Sequence, residues 1–413
     1  IGKYKDGVLD IPSISGKDLT ITIDSKLQEY GEILMKNKKG AIVAIEPNSG
    51  EILSLVSSPS YNPNLLVGRE RSKNYFELYK DSIYRPLIDK GLLSMFPPGS
   101  PFKILVGLTA LQEKIITEKS TIYCKGYYIY GKEKRKINCH CGGGYRNIYN
   151  AISLSCNSYF ADTYRKTINS QNNTKENFDN WSNHIKSFGL GNYLNNDLPI
   201  GKKGVIPDSE YYDRWYPDFK WGATTTISNS IGQGEILTTP IQLANMTAAV
   251  ANEGYYYIPH IIKKIDGDTI DVRFKTPIKT SIDGTHFKTM NKALYRVFKS
   301  GTGKLLNVPG IEICGKSGTV ENFTKINGIK TQLSDHSIFI AYAPKENPTI
   351  AISVLVENAG YGSVWAGRIA SLMIEKYIND NISLKKMEKI VLNKNLEKEY
   401  LKPYLSKSFN INE

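Results

Sequence analysis

The chain has 413 residues, 40% of them hydrophobic and 23% charged, and a formal net charge of +13. That length can bury a large core, and the composition is globular rather than disordered or fibrous. The positive excess suits an anionic neighbour such as a lipid surface or an acidic wall polymer. No basic RNP-like or zinc-finger spacing accompanies it, so no nucleic-acid partner is expected.

Residues 1–17 are polar and irregular and read as a linker leaving an N-terminal region. No apolar run is long enough to span a bilayer, so any membrane anchor is expected upstream. DLTITID (18–24) alternates as a strand, and SKLQEYGEILMKNKK (25–39) has helical periodicity with Asp24 or Ser25 as its cap. GAIVAIEPNSGEILSLVSSPS (40–60) reads as a hairpin continuing a sheet begun at 18–24, and 61–75 as a loop. At MFPPGSPFKILVGLTALQEK (95–114), two prolines and a glycine run directly into an apolar helix, with Ser100 at its mouth. Residues 115–150 form an excursion with little periodicity that carries most of the cysteines.

Helix returns over 150–168, and 169–222 reads as surface loops with short helices. Residues 230–254 open on a glycine-rich turn and become helical from about Thr239, with Pro240 in the first turn. A strand is predicted over 256–265, a helix over 288–300, strands over 310–322, 336–344 and 349–358, and a helix over 365–380. Residues 382–413 are a Lys-rich tail. Strands near both ends with helices between them predict an α+β fold, with one antiparallel sheet built from both ends, covered by helices and joined by an all-helical subregion.

Three short motifs carry the chemistry. Ser100 and Lys103 are three apart, so both side chains project from one face of a first turn. A desolvated lysine there can take the serine proton, and the unpaired N–H groups of a helix mouth can stabilise negative charge. A capped helix beside a surface lysine would look the same. Ser155-Cys156-Asn157 offers a hydroxyl and an amide on one side of a turn. Lys316-Ser317-Gly318-Thr319 ends a β-like run; an edge strand there could pair with an extended peptide, with hydroxyls suited to a carboxylate. Gly318 would leave room for the ligand.

S-x-x-K, S-x-N and K-[ST]-G in that order are the motif set of penicillin-binding proteins and serine β-lactamases. The chain resembles the class B penicillin-binding transpeptidases of the elongation type. The stretches that carry the resemblance are GAIVAIEPNSGEILSLVSSPSYNP, MFPPGSPFK, SLSCNSYF, IGQGEILTTPIQLAN, CGKSGTVEN and HSIFIAYAP, which together span 40–344. The resemblance implies a transpeptidase domain over 18–380, interrupted by the excursion at 115–150 and followed by the basic tail at 381–413. It also implies that Ser100 forms an acyl-enzyme with a D-alanyl-D-alanine stem peptide, with Lys103 as base. Ser155 and Lys316 would pass the proton to the leaving amine, and Asn157 would bind the substrate backbone. Ser317, Gly318 and Thr319 would hold the substrate, with the N–H groups of Ser100 and Thr319 as oxyanion hole.

The implied partners are peptidoglycan stem peptides, β-lactams, a membrane-embedded glycosyltransferase and elongation-complex proteins. The implied place is the periplasmic face of a bacterial inner membrane. No cofactor is required for such acyl transfer. Ser317 and Glu321 stand where the family more often has Thr and Gln. A β-lactamase would need a water-activating carboxylate between the second and third motifs, where Asp179, Asp197 and Asp208 lie in no recognisable setting. A β-lactam sensor or scaffold is the alternative from another class.

Four of the five cysteines fall within 33 residues: Cys124, Cys139, Cys141 and Cys156. They could form a tetrahedral zinc site, with His140 as alternative fourth ligand. A Cys124–Cys139 or Cys124–Cys141 disulfide, or free thiols, are the other readings. Some elongation-type relatives carry a metal near this helix, which the resemblance adds in favour of a structural zinc. Cys314 reads as core, and His336 as a candidate wall of the site.

Overall fold

The computed structural model describes residues 11 and 13–408, apart from 171, 172, 219 and 327. Most of the predicted linker (1–10 and 12) and residues 409–413 therefore lie outside the described residues. The frame is a five-stranded antiparallel sheet. Its strands are β1 (Gly40–Ile45), β2 (Ile52–Ser58), β3 (Cys314–Ile326), β4 (Ile329–Ala343) and β5 (Ile350–Val356), in the order β3-β4-β5-β1-β2. Both ends of the chain build it, as the sequence predicts. β1 is apolar throughout because both faces are covered: all six residues are buried. Ile42 and Val56 face helices α1 (Ser25–Met35) and α8 (Ala366–Asn379), while the opposite face carries α6 (Pro240–Ala251). Asp24 is the α1 cap, its carboxylate accepting from Leu27 N–H at 3.0 Å.

The strand predicted at 18–24 does not extend this sheet. Leu19–Ile21 instead pairs with Ile262–Ile265 as a separate two-stranded ladder. The hairpin of β3 and β4 runs on past the predicted strand ends, so that 323–326 and 329–335 are sheet as well.

Helices α2 (Lys103–Gln112), α3 (Ile148–Ser153), α4 (Asn157–Ile168), α5 (Thr174–Lys186) and α7 (Gly284–Ser300) build the helical subregion beside β3. The predicted loops at 169–222 contain the 13-residue α5, whose Phe178, Trp181 and Ile185 recur at i, i+3 and i+7 and are buried. The Phe178 ring lies 5.2–5.3 Å from those of Trp181, Tyr212 and Trp221. The loop predicted at 61–75 gives way to a helix at Arg71–Lys80, which buries no residue and so left no apolar stripe to read.

The Lys-rich stretch after 380 is not a free tail. It forms α9 (Lys385–Leu392) and α10 (Glu397–Ser408), with Val391, Leu396 and Tyr400 buried. The Tyr400 hydroxyl accepts from the Lys39 N–H at 2.7 Å, tying α10 to the start of β1. The excursion folds as two short ladders, Ile122–Cys124 with Gly144–Arg146 and Tyr127–Tyr130 with Arg135–Asn138. No helix among the described residues is long and apolar enough to cross a membrane.

Candidate active site

Ser100 opens a single 3-10 turn, Ser100–Phe102, that passes straight into α2. The loop before it is held by Gly99 N–H, which donates to Gly232 O at 2.8 Å, so the glycine-rich turn of the sequence lies against the serine loop. Lys103 begins α2 and is fully buried, as are the eight residues after it. Ser155 sits between α3 and α4 with φ +57, a left-handed conformation that non-glycine residues adopt at a cost of roughly 1–3 kcal/mol. That turn points its hydroxyl at the serine and swings the next residue, Cys156, the other way.

The three motifs meet at the Ser155 hydroxyl. Lys103 Nζ donates to it at 3.2 Å and Lys316 Nζ at 2.9 Å, while Ser155 Oγ lies 3.0 Å from Ser100 Oγ. Lys103 also donates to Ser155 O at 2.8 Å and to Asn157 Oδ1 at 2.5 Å. Asn157 Nδ2 in turn donates to Asn138 O in the excursion at 2.7 Å. Lys316, fully buried on β3, donates its other bond to Ser317 O at 3.0 Å. Burial lowers the Lys103 pKa to about 8, opposed by the charge of the neighbouring cysteines. Burial, and then the charge of Lys103, hold Lys316 well below the usual lysine range. Two ammonium groups sharing one desolvated pocket favour losing a proton, which leaves a neutral amine able to act as base.

β3 is the edge strand expected for the third motif. Thr319 Oγ1 accepts from Gly362 N–H at 3.2 Å, and Ser317 Oγ lies 3.0 Å from Thr302 Oγ1. The bare Cα of Gly318 has a different reason from the one expected. A Cβ there would stand 2.6 Å from Pro101 Cδ and 3.2 Å from Pro98 O, so the glycine lets the serine loop press on β3. Thr302 was invisible to motif reasoning; only a Gly-Thr-Gly after α7 marks it.

The other sequence candidates fall elsewhere. His336 pairs with Val320 across β3 and β4 but is buried behind the motif. Its Nδ1 accepts from Asn358 N–H at 3.2 Å, and burial pushes its pKa down to about 4, so it is neutral at pH 7. Asp179 accepts from Ser209, Asp197 from Ile261 and Ile262 N–H, and Asp208 caps the helix Ser209–Trp215 and pairs with Lys186. Each of these carboxylates thus serves the fold.

Cys124, Cys139, Cys141 and Cys156 are all buried and unbonded, their sulfurs within 4.8 Å of one another. Cys139 and Cys156 are 3.6 Å apart, and Cys124 and Cys141 3.5 Å. A tetrahedral zinc with Zn–S of about 2.3 Å spaces its sulfurs by about 3.8 Å, so the set fits such an ion. Backbone N–H groups already point at three of the sulfurs: Gly126 at Cys124 (3.3 Å), Asn157 at Cys139 (3.1 Å) and Tyr159 at Cys156 (3.4 Å). The Cys156 thiol, and then backbone N–H groups, draw the Cys139 pKa well below the usual thiol range. His140 is exposed and outside this group, so Cys156 and not His140 is the fourth member. Cys314 is buried core, as expected.

A serine beside two buried lysines and a shared hydroxyl, next to an edge strand, is the site arrangement of the penicillin-binding and serine β-lactamase fold. Comparison narrows this. The family described as penicillin binding protein transpeptidase domain matches residues 40–375, and the chain belongs to it. It is 34% identical over 359 residues to the peptidoglycan D,D-transpeptidase MrdA of Acinetobacter baumannii, covering 84% of this chain and 52% of that protein. With MrdA of Haemophilus influenzae it shares 32% identity, covering 90% of this chain and 58% of the relative. The chain thus spans somewhat over half the length of these relatives. Among solved structures, Pseudomonas aeruginosa PBP2 in complex with WCK 5153 superposes with a TM-score of 0.77 at 33% identity, covering 88% of this chain and 79% of that one. PBP2 of Helicobacter pylori in complex with MreC superposes with a TM-score of 0.73 at 27% identity, covering 87% of this chain and 64% of that one.

Proposed function

We propose that the chain is the catalytic part of an elongation-type peptidoglycan D,D-transpeptidase acting through Ser100. The observation that carries this is the Ser155 hydroxyl, held between Ser100 Oγ and the Nζ atoms of Lys103 and Lys316. Ser100 Oγ attacks the carbonyl between the two terminal D-alanines of a stem peptide. Its proton passes through Ser155 to the neutral Lys103 amine. The N–H groups of Ser100 and Thr319 stabilise the oxyanion. The C–N bond breaks, and the departing D-alanine amine takes a proton from Lys316 by way of Ser155. The acyl group is then on Ser100, and a second peptide's amine displaces it, giving up a proton to the same relay. Asn157 orients Lys103 through Oδ1 and has one amide hydrogen left for the substrate backbone. Ser317, Gly318 and Thr319 border the substrate strand.

Acyl transfer needs no cofactor. Cys124, Cys139, Cys141 and Cys156 would hold a structural zinc, which would supply cross-linking and not chemistry on the substrate. What it braces is the excursion, whose Asn138 O and Cys139 Sγ fix Asn157. β-Lactams acylate the same serine. The similarity to a PBP2 solved with MreC supports elongation-complex partners. A membrane-embedded glycosyltransferase as partner, and a place at the periplasmic face of an inner membrane, belong to the same proposal.

The test is turnover of a diacylated D-alanyl-D-alanine peptide with an added amine acceptor. The wild type should release D-alanine and form the new amide, and Ser100→Ala should do neither. Acylation without any amide product would instead leave the sensor reading.

A further inference from the structure

Lys90 takes no part in acyl transfer, yet it is only 2% exposed. Among the described residues its ammonium makes a single hydrogen bond, to Arg85 O at 3.3 Å. An ammonium carries three hydrogens, so two are left without an acceptor, and a buried cation in that state is costly unless something pairs with it. Burial lowers its pKa to about 8, which still leaves it mainly protonated at pH 7. Glu357, Asp89 and Asp81 attract it without pairing with it. Glu357 instead pairs with Lys39 at 3.0 Å, and the two aspartates accept from the N–H groups of Leu92, Ile83 and Tyr84.

Lys90 borders a cavity of about 370 Å³ beside the β3–β4 hairpin. Lys39, Arg85, His336 and Glu357 border it too, whereas Ser100, Lys103, Ser155, Asn157 and Lys316 do not. Lys39 and Glu357 cancel each other, and Arg85 has no ion pair among the described residues. Two positive charges are thus uncompensated, Lys90 in the wall and the exposed Arg85. His336 adds a neutral donor: its Nδ1 accepts from Asn358 N–H, so Nε2 carries the ring hydrogen. Ile88, Phe323 and Leu333 make the apolar part of the lining. Donors therefore exceed acceptors, which suits a ligand with several acceptor oxygens, about two negative charges and an apolar body. A phosphate monoester carries about −1.5 to −2 at pH 7, and a single carboxylate only half of that.

We propose that this cavity is a second binding site, separate from the acyl-transfer site, for a phosphate monoester with an apolar substituent. Lys90 and Arg85 hold the phosphate, and the apolar wall receives the substituent.

The test is calorimetric titration of the whole chain with phenyl phosphate, at pH 7 and constant ionic strength in a zwitterionic buffer. Saturable one-to-one binding is expected, with the same affinity before and after Ser100 is acylated by benzylpenicillin. Arg85→Gln, at an exposed position, should weaken it about tenfold, the loss expected for one hydrogen bond to a charged group. Lys90→Met should abolish it and should raise the melting temperature in phosphate-free buffer, because an unpaired buried charge is gone. Benzoate should bind at least tenfold more weakly than phenyl phosphate. No saturable binding to the wild type, or affinity unchanged in Arg85→Gln, would overturn the proposal whether or not Lys90→Met folds. Binding that acylation of Ser100 abolishes would place the anion in the acyl-transfer site, and benzoate binding as tightly as phenyl phosphate would overturn the phosphate assignment.

Discussion

Lys316 Nζ donates to Ser155 Oγ at 2.9 Å, joining an edge strand near the end of the catalytic region to a strained turn between two helices far earlier in the chain. The same oxygen receives Lys103 and adjoins Ser100, so three motifs converge on one hydroxyl. Lys103 has no direct bond to Ser100 among the described contacts; it acts through Ser155. Ser155→Ala should therefore slow β-lactam acylation at least a hundredfold, the low end of the range for lost general acid–base help. Stopped-flow or gel-based acylation kinetics on a variant that melts cooperatively would check it. A rate within threefold of wild type would assign the proton transfer to Lys103 alone.

The pH dependence follows from burial. With the Lys103 pKa lowered to about 8, the neutral amine grows in as pH rises through that value. The acylation rate constant should climb between about pH 7 and 9 and then level off, where an ordinary lysine would keep rising past pH 10. Stability has the same sign. A folded pKa below the unfolded one means the unfolded chain binds more protons between the two values. This group's contribution therefore becomes more favourable as pH rises from about 8 toward 10.5. A rate flat from pH 6 to 9 would remove Lys103 from the role of base.

The cysteine cage should hold one zinc per chain by elemental analysis. Stripping it with a strong chelator should lower the melting temperature and slow acylation, because Asn138 and Cys139 would no longer fix Asn157. Cys141→Ser should reduce metal content without touching any residue that bonds Lys103. Metal-free protein with unchanged melting and kinetics would rule the cage out as a brace.

The folded C-terminal helices make a simple stability prediction. Tyr400→Phe keeps the ring and removes only the hydroxyl that accepts from Lys39 N–H. It should cost about 1 kcal/mol, more if the buried N–H finds no water. Urea denaturation would measure it, and no change would mean that α10 is undocked in solution.

How much of this was legible in the sequence depends on where each signal lies. The hairpin at 40–60, the helix from Thr239 and the paired strands at the end carried their periods locally, and the three motifs kept their order. Within the loops and short helices read over 169–222, the length and burial of α5 were not legible, because Phe178, Trp181 and Ile185 are among the few apolar residues in a polar stretch. The helices after 380 were missed because Val391, Leu396 and Tyr400 are scattered among lysines, and only docking makes them core. The reason for Gly318 could not be read either, since Pro98 and Pro101 lie more than 200 residues away in the chain and meet it only in the fold. Thr302 stayed hidden for the same reason. The cysteine cluster carried its signal locally, in four cysteines within 33 residues, whereas only the fold shows that His140 is exposed and apart from the four sulfurs.

The central claim is that Ser100 is the nucleophile of an acyl-enzyme. Intact mass spectrometry after incubation with benzylpenicillin tests it most directly. The expected result is a single one-to-one adduct on the wild type, mapped by peptide digestion to Ser100, and none on Ser100→Ala. An adduct on both proteins, or on neither, would contradict it.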